Sequence, residues 1–419
     1  MTAKLQNCRT AELFSYRIPT YMNIGILRET KTPADSRVPF SPAQCRQVED
    51  EYPGIRIYVQ PSPTRCFTDK EYSDEGIEMS ENLNHCDVLL GVKEVKTEYL
   101  QENKTYFIFS HTIKKQPYNK GLLQAILRKN IRLIDYEMLT DGRGVRIIGF
   151  GRWAGLAGTY NGIRAWCIKQ GNHSLIPAPE CSGLEDMMQR ASANPPGKVR
   201  IALTGDGRVA GGAEEMLDAF GVRKVTTEEY LMREHFEGSV YTQLDPSKYN
   251  VHKSGMEFSL PHFFIFPEEY TSNFARFCPK TDLLIMAAYW DPHAPVLFTA
   301  GDMRKAGFNI RVIADITCDI MGSVPSSIRT TTFNEPYYDY NRDLEKEEIP
   351  FSNPENVTMM TIDNLPCVLP KEASIDFGHH IVKNIVPLLL GEDNENIIER
   401  ATITRKGRLT DRYSYLQEW

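Results

Sequence analysis

The chain has 419 residues, of which 41% are hydrophobic and 25% are charged, and its formal net charge is −7. This length suits two domains better than one hydrophobic core, and the composition is that of a folded protein. A mildly acidic chain has no bulk attraction to nucleic acid or to anionic membranes, so the sequence predicts neither as a partner.

Location and metal content follow from simple patterns. The sequence contains no run of about 18 apolar residues, so no membrane span is predicted. The first twenty residues lack the continuous apolar segment of a secretory signal. Nine cysteines are scattered without a Cys-x-x-Cys pair, which indicates reduced thiols and no metal site. We expect a cytoplasmic protein whose fold begins at Met22. Residues 1–21 are then a flexible arm or an incorrectly assigned start.

The first third of the chain alternates short apolar runs with helical patterns. The predicted strands cover residues 23–27, 55–59, 86–91, 105–110 and 131–136, and the predicted helices cover 42–52 and 120–129. Ser41 is expected to cap the first helix. Strands that alternate with helices predict an α/β fold with parallel pairing.

The rest of the chain continues this pattern with interruptions. A glycine-rich stretch at 150–158 opens a helix that runs to about Lys169, and its position suggests a domain junction. Residues 171–197 are predicted to be a loop-bearing insertion. Strands are predicted at 199–204, 282–287 and 311–315, a long excursion at 323–358, and a helix from 370 to about 390. Residues 235–280 carry few periodic signals.

A dinucleotide motif follows the strand at 199–204. Gly205, Gly207 and Gly211 fit the G-x-G-x-x-G pattern between an apolar strand and a helix, which is the context that the motif requires. The glycines allow a tight turn, close approach of a pyrophosphate, and close packing of helix on strand. The helix N-terminus supplies amide donors. The alternative is a glycine turn that binds no nucleotide.

The residue expected at the ribose is Thr226, where an NAD site usually has an acid about 20 residues after the first glycine. Three cations lie near it in sequence, namely Arg208, Arg223 and Lys224. Loss of the acid and gain of cations favour a 2′-phosphate, so NADP is predicted over NAD. The alternative is that Glu228 or Glu229 reaches the ribose and NAD binds.

Two reactive side chains directly follow predicted strands of the first half. Lys93 lies in GVKEV and His111 in FSHTIK. Ligands of open parallel sheets bind at the carboxyl ends of strands, so both side chains are candidates for one crevice. A histidine and a lysine with a lowered pKa suit general acid–base catalysis. The alternative for each is a surface or capping residue.

Two arginines lie in comparable positions. Arg37 follows the first strand, and Arg146 precedes the glycine-rich stretch. Arginine binds carboxylates with two parallel hydrogen bonds, as a dicarboxylate substrate would require. The alternative for each is a solvated or structural arginine.

Several longer motifs carry a family resemblance. RETKTPADSRVPFSP resembles the opening of the alanine dehydrogenase and saccharopine dehydrogenase superfamily. The motifs IRLIDYEMLTD, GVRIIGFGRWAGLAG, ADITCDIMGS, TIDNLPCVLPKEAS and ATITRKGRLTDRYSYLQ resemble the lysine-forming saccharopine dehydrogenases. Within these, they are closest to the lysine–2-oxoglutarate reductase half of the bifunctional aminoadipic semialdehyde synthases. The resemblance spans residues 24 to 417.

The resemblance implies roles for individual residues. Lys93 and His111 would be the acid–base pair, and Arg37 and Arg146 would hold substrate carboxylates. Further roles concern three acids: Glu137 near the amine end of the substrate lysine, Glu94 as a group that tunes Lys93, and Asp363 near the nicotinamide. The substrates would be lysine, 2-oxoglutarate and saccharopine, with the oligomeric state open.

The resemblance also implies the architecture. Two Rossmann-like domains with mainly parallel sheets would enclose an interdomain cleft. A discontinuous substrate domain would comprise residues 22–147 and about 370–419, and a dinucleotide-binding domain residues 148–369. The second enzyme of the bifunctional synthases is expected to be missing.

Two other functions remain open at this point. One is an amino-acid or opine dehydrogenase with another amine donor, for example an alanine dehydrogenase that uses pyruvate. The other is a dinucleotide-binding regulator without catalysis. The paired arginines and Glu137 favour a larger dicarboxylic product over the first, and the presence of both Lys93 and His111 argues against the second.

Overall fold

The computed structural model describes residues 21–32, 34–391 and 393–419, so nearly all of the predicted N-terminal arm lies outside the described residues. The chain divides into two compact units. One comprises Met1–Ile148 with Phe377–Trp419, and the other comprises Gly149–Asp376. Within the described ranges, no helix combines the length and the apolar character needed to cross a bilayer.

Strands and helices are numbered in chain order. The strands are β1 (Met22–Ile26), β2 (Ile55–Val59), β3 (Glu78–Met79), β4 (Val88–Leu90), β5 (Thr105–Ile108), β6 (Arg132–Asp135), β7 (Arg200–Thr204), β8 (Arg223–Lys224), β9 (Val240–Leu244), β10 (Asn250–His252), β11 (Tyr270–Ser272), β12 (Leu283–Met286), β13 (Val312–Asp315), β14 (Tyr338–Asn341), β15 (Lys346–Glu348), β16 (Val357–Met360), β17 (Thr402–Arg405) and β18 (Arg408–Leu409).

The helices are of mixed length. They are α1 (Pro42–Glu51), α2 (Asp69–Asp74), α3 (Lys120–Arg128), α4 (Gly151–Lys169), α5 (Leu184–Ala193), α6 (Arg208–Ala219), α7 (Thr227–Met232), α8 (Leu260–Ile265), α9 (Ala300–Met303), α10 (Pro370–Asn384), α11 (Val386–Leu390) and α12 (Ile397–Ala401).

The sheet of the first unit has the order β18-β17-β6-β5-β4-β1-β2-β3. The run from β6 to β3 is parallel, while β17 and β18 are antiparallel. The parallel part therefore has the order 3-2-1-4-5-6, which is the Rossmann order. β2 and β3 lie on one side of β1, and β4, β5 and β6 lie on the other, so the switch point falls between β1 and β4. Ligands of such sheets bind outside the carboxyl ends of the strands at this switch point.

Local sequence signals of the first unit act as predicted. The side chain of Ser41 accepts a hydrogen bond from the amide of Gln44, and the Gln44 side chain accepts one from the amide of Ser41, which forms a capping box. In α3 the buried residues are Leu122, Leu123, Ala125 and Ile126. This one-sided burial confirms the amphipathic helix that the sequence predicted.

The sheet of the second unit has the order β15-β14-β16-β13-β12-β7-β9-β8. The run from β16 to β8 is parallel, and the hairpin β14–β15 extends it in antiparallel fashion. The two sheets confirm the predicted α/β class with mainly parallel pairing. One feature was not predicted: β9, which follows β8 in the chain, lies between β7 and β8.

Two glycine contacts explain how closely α4 and α6 pack in the second unit. A Cβ atom on Gly155 would lie 2.0 Å from the carbonyl oxygen of Val209, and one on Gly212 would lie 2.0 Å from that of Arg152. Each glycine therefore faces the backbone of the other helix. The glycine-rich stretch at 150–158 does permit close helix packing, as predicted, and its partner is α6.

Some predicted segments were wrong. Residues 171–197 contain α5, whose Met187 and Ala191 are buried; the flanking Pro- and Ser-rich runs obscured its helical spacing. The regions 235–280 and 323–358 contribute β9, β14 and β15 to the sheet. The predicted helix from 370 to 390 is interrupted at Ile385, just before α11, whose second residue is Pro387.

Candidate active site

Four adjacent strands of the first unit, β6, β5, β4 and β1, direct their carboxyl ends to the same edge of the sheet. Each strand is followed by a charged or titratable side chain that the sequence had singled out. Arg37 follows β1, Lys93 and Glu94 follow β4, His111 follows β5, and Glu137 follows β6. The fold therefore brings all five to one edge, on both sides of the switch point.

Glu29, which the sequence reading missed, joins the loops after β1 and β4. Its two carboxylate oxygens accept hydrogen bonds from the amides of Val92 (2.6 Å) and Lys93 (2.9 Å). Burial, together with the negative charge of Asp35, raises the pKa of Glu29 from 4.5 to about 8 despite these two amides. Its place three residues after β1, in the motif RETK, was the available signal.

Lys93 is partly buried, and its backbone amide donates to the carboxyl group of Glu29. Burial lowers the pKa of the Lys93 amine, and the positive charges of Arg37 and Lys31 lower it further, against the opposing charges of Asp35 and Glu94. Across the described residues, the amine makes no hydrogen bond or ion pair. A lysine in this setting can exist as the neutral amine that a general base requires.

His111 is held by Glu94. The Nδ1 atom of His111 lies 2.6 Å from Oε1 of Glu94, and the amine of Lys31 lies 3.4 Å from Oε2. Burial would raise the pKa of Glu94, but the hydrogen bond and charge of His111 and the charge of Lys31 lower it to about 2. Glu94 is therefore ionised, so His111 donates from Nδ1 and keeps Nε2 for proton transfer.

The backbone of His111 has an unusual conformation. Its φ of 50° lies in the left-handed region, which costs a non-glycine residue on the order of 1–3 kcal/mol. Ser110, the residue before His111, is fixed by Asp135, which the sequence analysis did not identify. Asp135 accepts hydrogen bonds from the amide (3.0 Å) and the hydroxyl (2.5 Å) of Ser110. Burial raises the pKa of Asp135, although these bonds oppose the shift.

Glu137 is paired on one oxygen only. Its Oε1 atom accepts from Arg146 (2.9 Å) and lies 3.2 Å from the amine of Lys114. Burial would raise the pKa of Glu137, but Lys114 and Arg146 lower it. Within the described part of the chain, its buried Oε2 atom has no hydrogen-bond partner. A buried carboxylate oxygen without a donor is rare in folded proteins and marks a place for a ligand donor.

The two arginines differ in exposure. Arg37 is 2% exposed, and its guanidinium binds both oxygens of Asp35, with Nε–Oδ1 at 3.0 Å and Nη2–Oδ2 at 2.6 Å. This geometry fits a structural arginine better than a carboxylate ligand. The side chain of Arg146 is 45% exposed beside Glu137 and is the more accessible cation.

In the second unit, the glycine motif forms the turn from β7 into α6. Gly205 has φ 96°, and a Cβ atom there would lie 3.0 Å from the backbone of Ala287, so only glycine fits the turn. Gly207 precedes α6, and Arg208 is its exposed first residue. No heavy atom of the described residues lies within 4 Å of a Cβ built on Gly207 or Gly211. This turn and helix N-terminus fit a dinucleotide pyrophosphate.

Gly211 does not have the packing role predicted for it. The surroundings of its Cβ position are open, and the close helix contact belongs to the next residue, Gly212, which faces the carbonyl oxygen of Arg152. The reason is the helical repeat, since one residue along α6 rotates the side-chain direction by about 100°. Gly211 therefore remains a candidate for cofactor contact only.

Thr226 is not beside the motif strand. It follows β8 and caps α7 by accepting a hydrogen bond from the amide of Glu229 (3.1 Å). β9 separates β8 from β7, and the residue that follows β9 is Asp245. The amide of Gly205 donates to the carbonyl oxygen of Leu244 (2.8 Å), so the end of β9 adjoins the glycine turn. Asp245 thus occupies the strand-end position expected for a ribose ligand.

The cations near Thr226 are paired with acids. The amine of Lys224 forms an ion pair with Glu214, and the guanidinium of Arg223 lies 3.6 Å from Glu229. These pairs weaken the electrostatic case for a 2′-phosphate. Glu228 and Glu229 belong to the first turn of α7, one strand further from the glycine turn than Asp245.

Asp363 is exposed and follows β16, at the carboxyl edge of the same parallel sheet as Gly205. Its amide donates to the carbonyl oxygen of Thr331 (3.2 Å). β12 and β13 lie between β16 and the motif strand β7. Asp363 therefore shares the edge of the sheet with the glycine turn but is not adjacent to it.

Known proteins resemble this chain over most of its length. Residues 25–157 match the family model described as alanine dehydrogenase/PNT, N-terminal domain. The mitochondrial alpha-aminoadipic semialdehyde synthase of Mus musculus is 30% identical over 450 residues, which cover 94% of this chain and 47% of that protein. The chain therefore spans about half the length of that relative.

Two further comparisons cover nearly complete proteins. The saccharopine dehydrogenase (NAD(+), L-lysine-forming) of Yarrowia lipolytica is 23% identical, over 86% of this chain and 91% of that protein. A solved L-alanine dehydrogenase superimposes with a TM-score of 0.65 at 18% identity, over 95% of this chain and 98% of that chain. It supports a two-domain Rossmann-like fold. The chain is thus similar, over most of its own length, to proteins named as aminoadipic semialdehyde synthases and saccharopine dehydrogenases, and its residues 25–157 match the alanine dehydrogenase/PNT family.

Proposed function

We propose that this chain is a nicotinamide-dependent oxidoreductase that reversibly condenses L-lysine with 2-oxoglutarate and reduces the resulting imine to saccharopine. The observation that carries the proposal is the cluster at the edge of the first sheet. There, a lysine with a lowered pKa, a histidine held by an ionised glutamate, and a half-paired buried carboxylate follow adjacent strands. The names of the relatives, one of which is a lysine-forming enzyme, support this choice of substrate.

The first chemical requirement is a neutral amine. The ε-ammonium of the substrate lysine must lose a proton before its nitrogen can attack the ketone carbon of 2-oxoglutarate. Lys93 is the proposed acceptor of that proton, because burial and the charges of Arg37 and Lys31 favour its own neutral form. Attack then gives a carbinolamine with one new C–N bond.

The second requirement is an acid. Loss of water from the carbinolamine gives an imine and needs a proton on the departing hydroxyl group. His111 is the proposed donor through Nε2, since Glu94 binds Nδ1 and fixes the orientation of the ring. When bound, the nicotinamide supplies the hydride that reduces the imine carbon. Gly205, Gly207 and the N-terminus of α6 would hold its pyrophosphate.

Glu137 and Arg146 are proposed to orient the substrate. The unpaired Oε2 atom of Glu137 would accept a hydrogen bond from the substrate's amine end. Arg146 is accessible beside it and would bind a carboxylate with its guanidinium fork. Arg37 is proposed to act mainly through Asp35 and Lys93 rather than by direct contact with substrate.

We propose NAD as the cofactor, in place of the NADP that the sequence favoured. Asp245 is a carboxylate at the end of the strand adjacent to the glycine turn, where it could bind two ribose hydroxyls and would repel a 2′-phosphate. Asp245→Ser should raise KM for NADH and lower the discrimination against NADPH. Thr226→Ser is the matched control and should leave both unchanged. A wild-type preference for NADPH would refute this assignment.

The activity itself is tested by nicotinamide absorbance with purified protein, lysine and 2-oxoglutarate. Oxidation that requires both substrates supports the proposal, and His111→Gln should lower turnover about 10²-fold or more. His85→Gln, at an exposed histidine of the same unit, is the control. Activity with alanine or pyruvate but none with lysine would instead support the alternative of an alanine dehydrogenase, which the family match at residues 25–157 keeps open.

The cellular setting is a further part of the proposal. We expect a cytoplasmic enzyme that acts on small molecules, although the mouse relative is named as mitochondrial. Cell fractionation with an antibody to the native protein tests this expectation. Recovery in the mitochondrial fraction would contradict it.

A further inference from the structure

We propose that His252, His262 and Glu269 form a zinc site in the second unit, independent of the reaction proposed above. One ligand atom from each of these residues lies within 4.8 Å of the others. The Nε2 atom of His252 is 3.1 Å, and that of His262 is 3.8 Å, from Oε2 of Glu269. Two imidazoles and one carboxylate are a recurrent ligand set for Zn²⁺.

Three short elements bring these side chains together. His252 ends β10 and pairs with Tyr270 at the start of β11, which places Glu269 beside it across the hairpin. The amide of Lys253 donates to the carbonyl oxygen of Glu269 (2.9 Å) and fixes that register. His262 comes from α8, in the segment that connects the two strands.

The outer nitrogen of each histidine has an acceptor. Nδ1 of His252 lies 2.8 Å from the hydroxyl of Ser254, and Nδ1 of His262 lies 3.1 Å from the hydroxyl of Tyr270. The Tyr270 hydroxyl in turn donates to the carbonyl oxygen of Ser259 (3.4 Å). When Nδ1 donates to such a hydroxyl group, Nε2 is left to offer its lone pair to a metal ion.

With both Nδ1 atoms donating, two nitrogen lone pairs converge on a carboxylate. These three ligand atoms carry lone pairs and a negative charge. A metal ion placed among them would supply the balancing positive charge. Zn–N distances of about 2.0–2.1 Å place tetrahedral ligands about 3.3–3.5 Å apart, close to the 3.1 and 3.8 Å already present. The two histidine nitrogens must approach each other somewhat, and the side chain of His262, 33% exposed, can move.

A competing arrangement contains no metal. The amide of Ser254 donates a hydrogen bond to Nδ1 of His252 (3.2 Å), and in this arrangement Nε2 of His252 carries the hydrogen and donates to Glu269. His262 has a matching alternative, in which the Tyr270 hydroxyl donates to Nδ1 and Nε2 carries the hydrogen toward Glu269. The zinc arrangement instead turns Nδ1 of His252 to the hydroxyl of Ser254 and leaves one coordination position for water, since Glu269 is 47% exposed.

The consequence of the site would be structural. The ion would cross-link α8 to the β10–β11 hairpin and fix the aromatic segment 258–270, for which the sequence suggested no role. The expected ion is Zn²⁺, because imidazole and carboxylate ligands in a tetrahedral set suit it. The sequence predicted no metal site because nine residues separate His252 from His262 and six separate His262 from Glu269, outside the usual short zinc spacings.

The test is a Co²⁺ titration of the full chain, free of any histidine tag and previously dialysed against chelator. We expect one equivalent to give the visible bands of tetrahedral cobalt, and Zn²⁺ to displace it. His262→Gln should abolish the signal, and Ser254→Ala should weaken binding about 10-fold. His293→Gln is the matched control, because His293 is exposed and pairs with an acid but belongs to no group of three potential metal ligands among the described residues.

Circular dichroism verifies that each variant is folded, and Ser254 is exposed enough for its variant to report binding rather than folding. The proposal is overturned if the wild-type chain shows no saturable site, or if the signal persists in folded His262→Gln. A sulfur-to-cobalt charge-transfer band would also overturn it, because that band places the ion on the cysteines.

Discussion

Replacing Glu29 with glutamine removes a carboxyl group whose pKa is raised from 4.5 to about 8 by burial and by the charge of Asp35. A carboxyl with a raised folded-state pKa stabilises the fold below its unfolded pKa, and this contribution is lost as pH rises through the folded value. The two pKa values differ by 8 − 4.5, about 3.5 units. This difference corresponds to a loss of ~5 kcal/mol at most in the free energy of unfolding between about pH 4.5 and pH 8.

Glutamine also carries a cost that is independent of pH. Both oxygens of Glu29 accept backbone amides, from Val92 and Lys93. The NH₂ group of glutamine cannot accept either amide, so one donor is left unpaired at about 1–3 kcal/mol. We therefore expect Glu29→Gln to be less stable than wild type near pH 5, and the difference to close and then reverse toward about pH 8.5.

Urea unfolding at a series of pH values measures this crossover in the free energy of unfolding. Amide hydrogen exchange of residues 88–95, corrected for its intrinsic pH dependence, gives a local readout. Glu102→Gln, at an exposed glutamate of the same unit, is the control and should follow the wild-type curve. Parallel wild-type and Glu29→Gln curves over the whole window would refute the argument, because they would show that Glu29 does not titrate there.

Three other predictions address catalysis and packing. Lys93→Met should lower turnover about 10²-fold or more, while Lys96→Met, three residues away and exposed, should not. Glu94→Gln keeps a hydrogen-bonding side chain beside His111 but removes the negative charge that faces His111 and Lys31, so turnover should fall; unchanged turnover would exclude a role for that charge. Gly155→Ala should lower the free energy of unfolding by about 1–3 kcal/mol or more, because its Cβ would meet the backbone of α6. Gly211→Ala should instead stabilise α6 by about 0.5–1 kcal/mol. Equal effects of the two substitutions would contradict the packing described.

The sequence was informative where chemistry follows a strong local pattern. Lys93 and His111 each follow an apolar strand, and parallel pairing brings the ends of adjacent strands together, so their common edge was predictable. Glu29 and Asp135 were not identified, because their importance depends on burial and on amides contributed by other loops. Contacts of this kind connect residues distant in sequence and leave no periodic signal.

The predicted ribose position depends on strand order, which the glycine motif does not specify. Counting about 20 residues from Gly205 reached Thr226 on the assumption that the next strand in the chain is also the next strand in the sheet. The sheet instead inserts β9 between β7 and β8, which moves Asp245 into that place. Strand order is a tertiary property, and one sequence without paired residues from relatives does not specify it.

The first unit is completed late during synthesis. β17 pairs with β6 through residues that are 271 positions apart, where the hydroxyl of Thr404 accepts from the amide of Leu133. Until the ribosome has released that strand, the β6 side of the sheet presents unpaired backbone groups, which are a template for intermolecular association. The continuous second unit can fold while the chain is still growing. We therefore expect truncation before residue 402 to produce aggregation rather than a folded shorter protein.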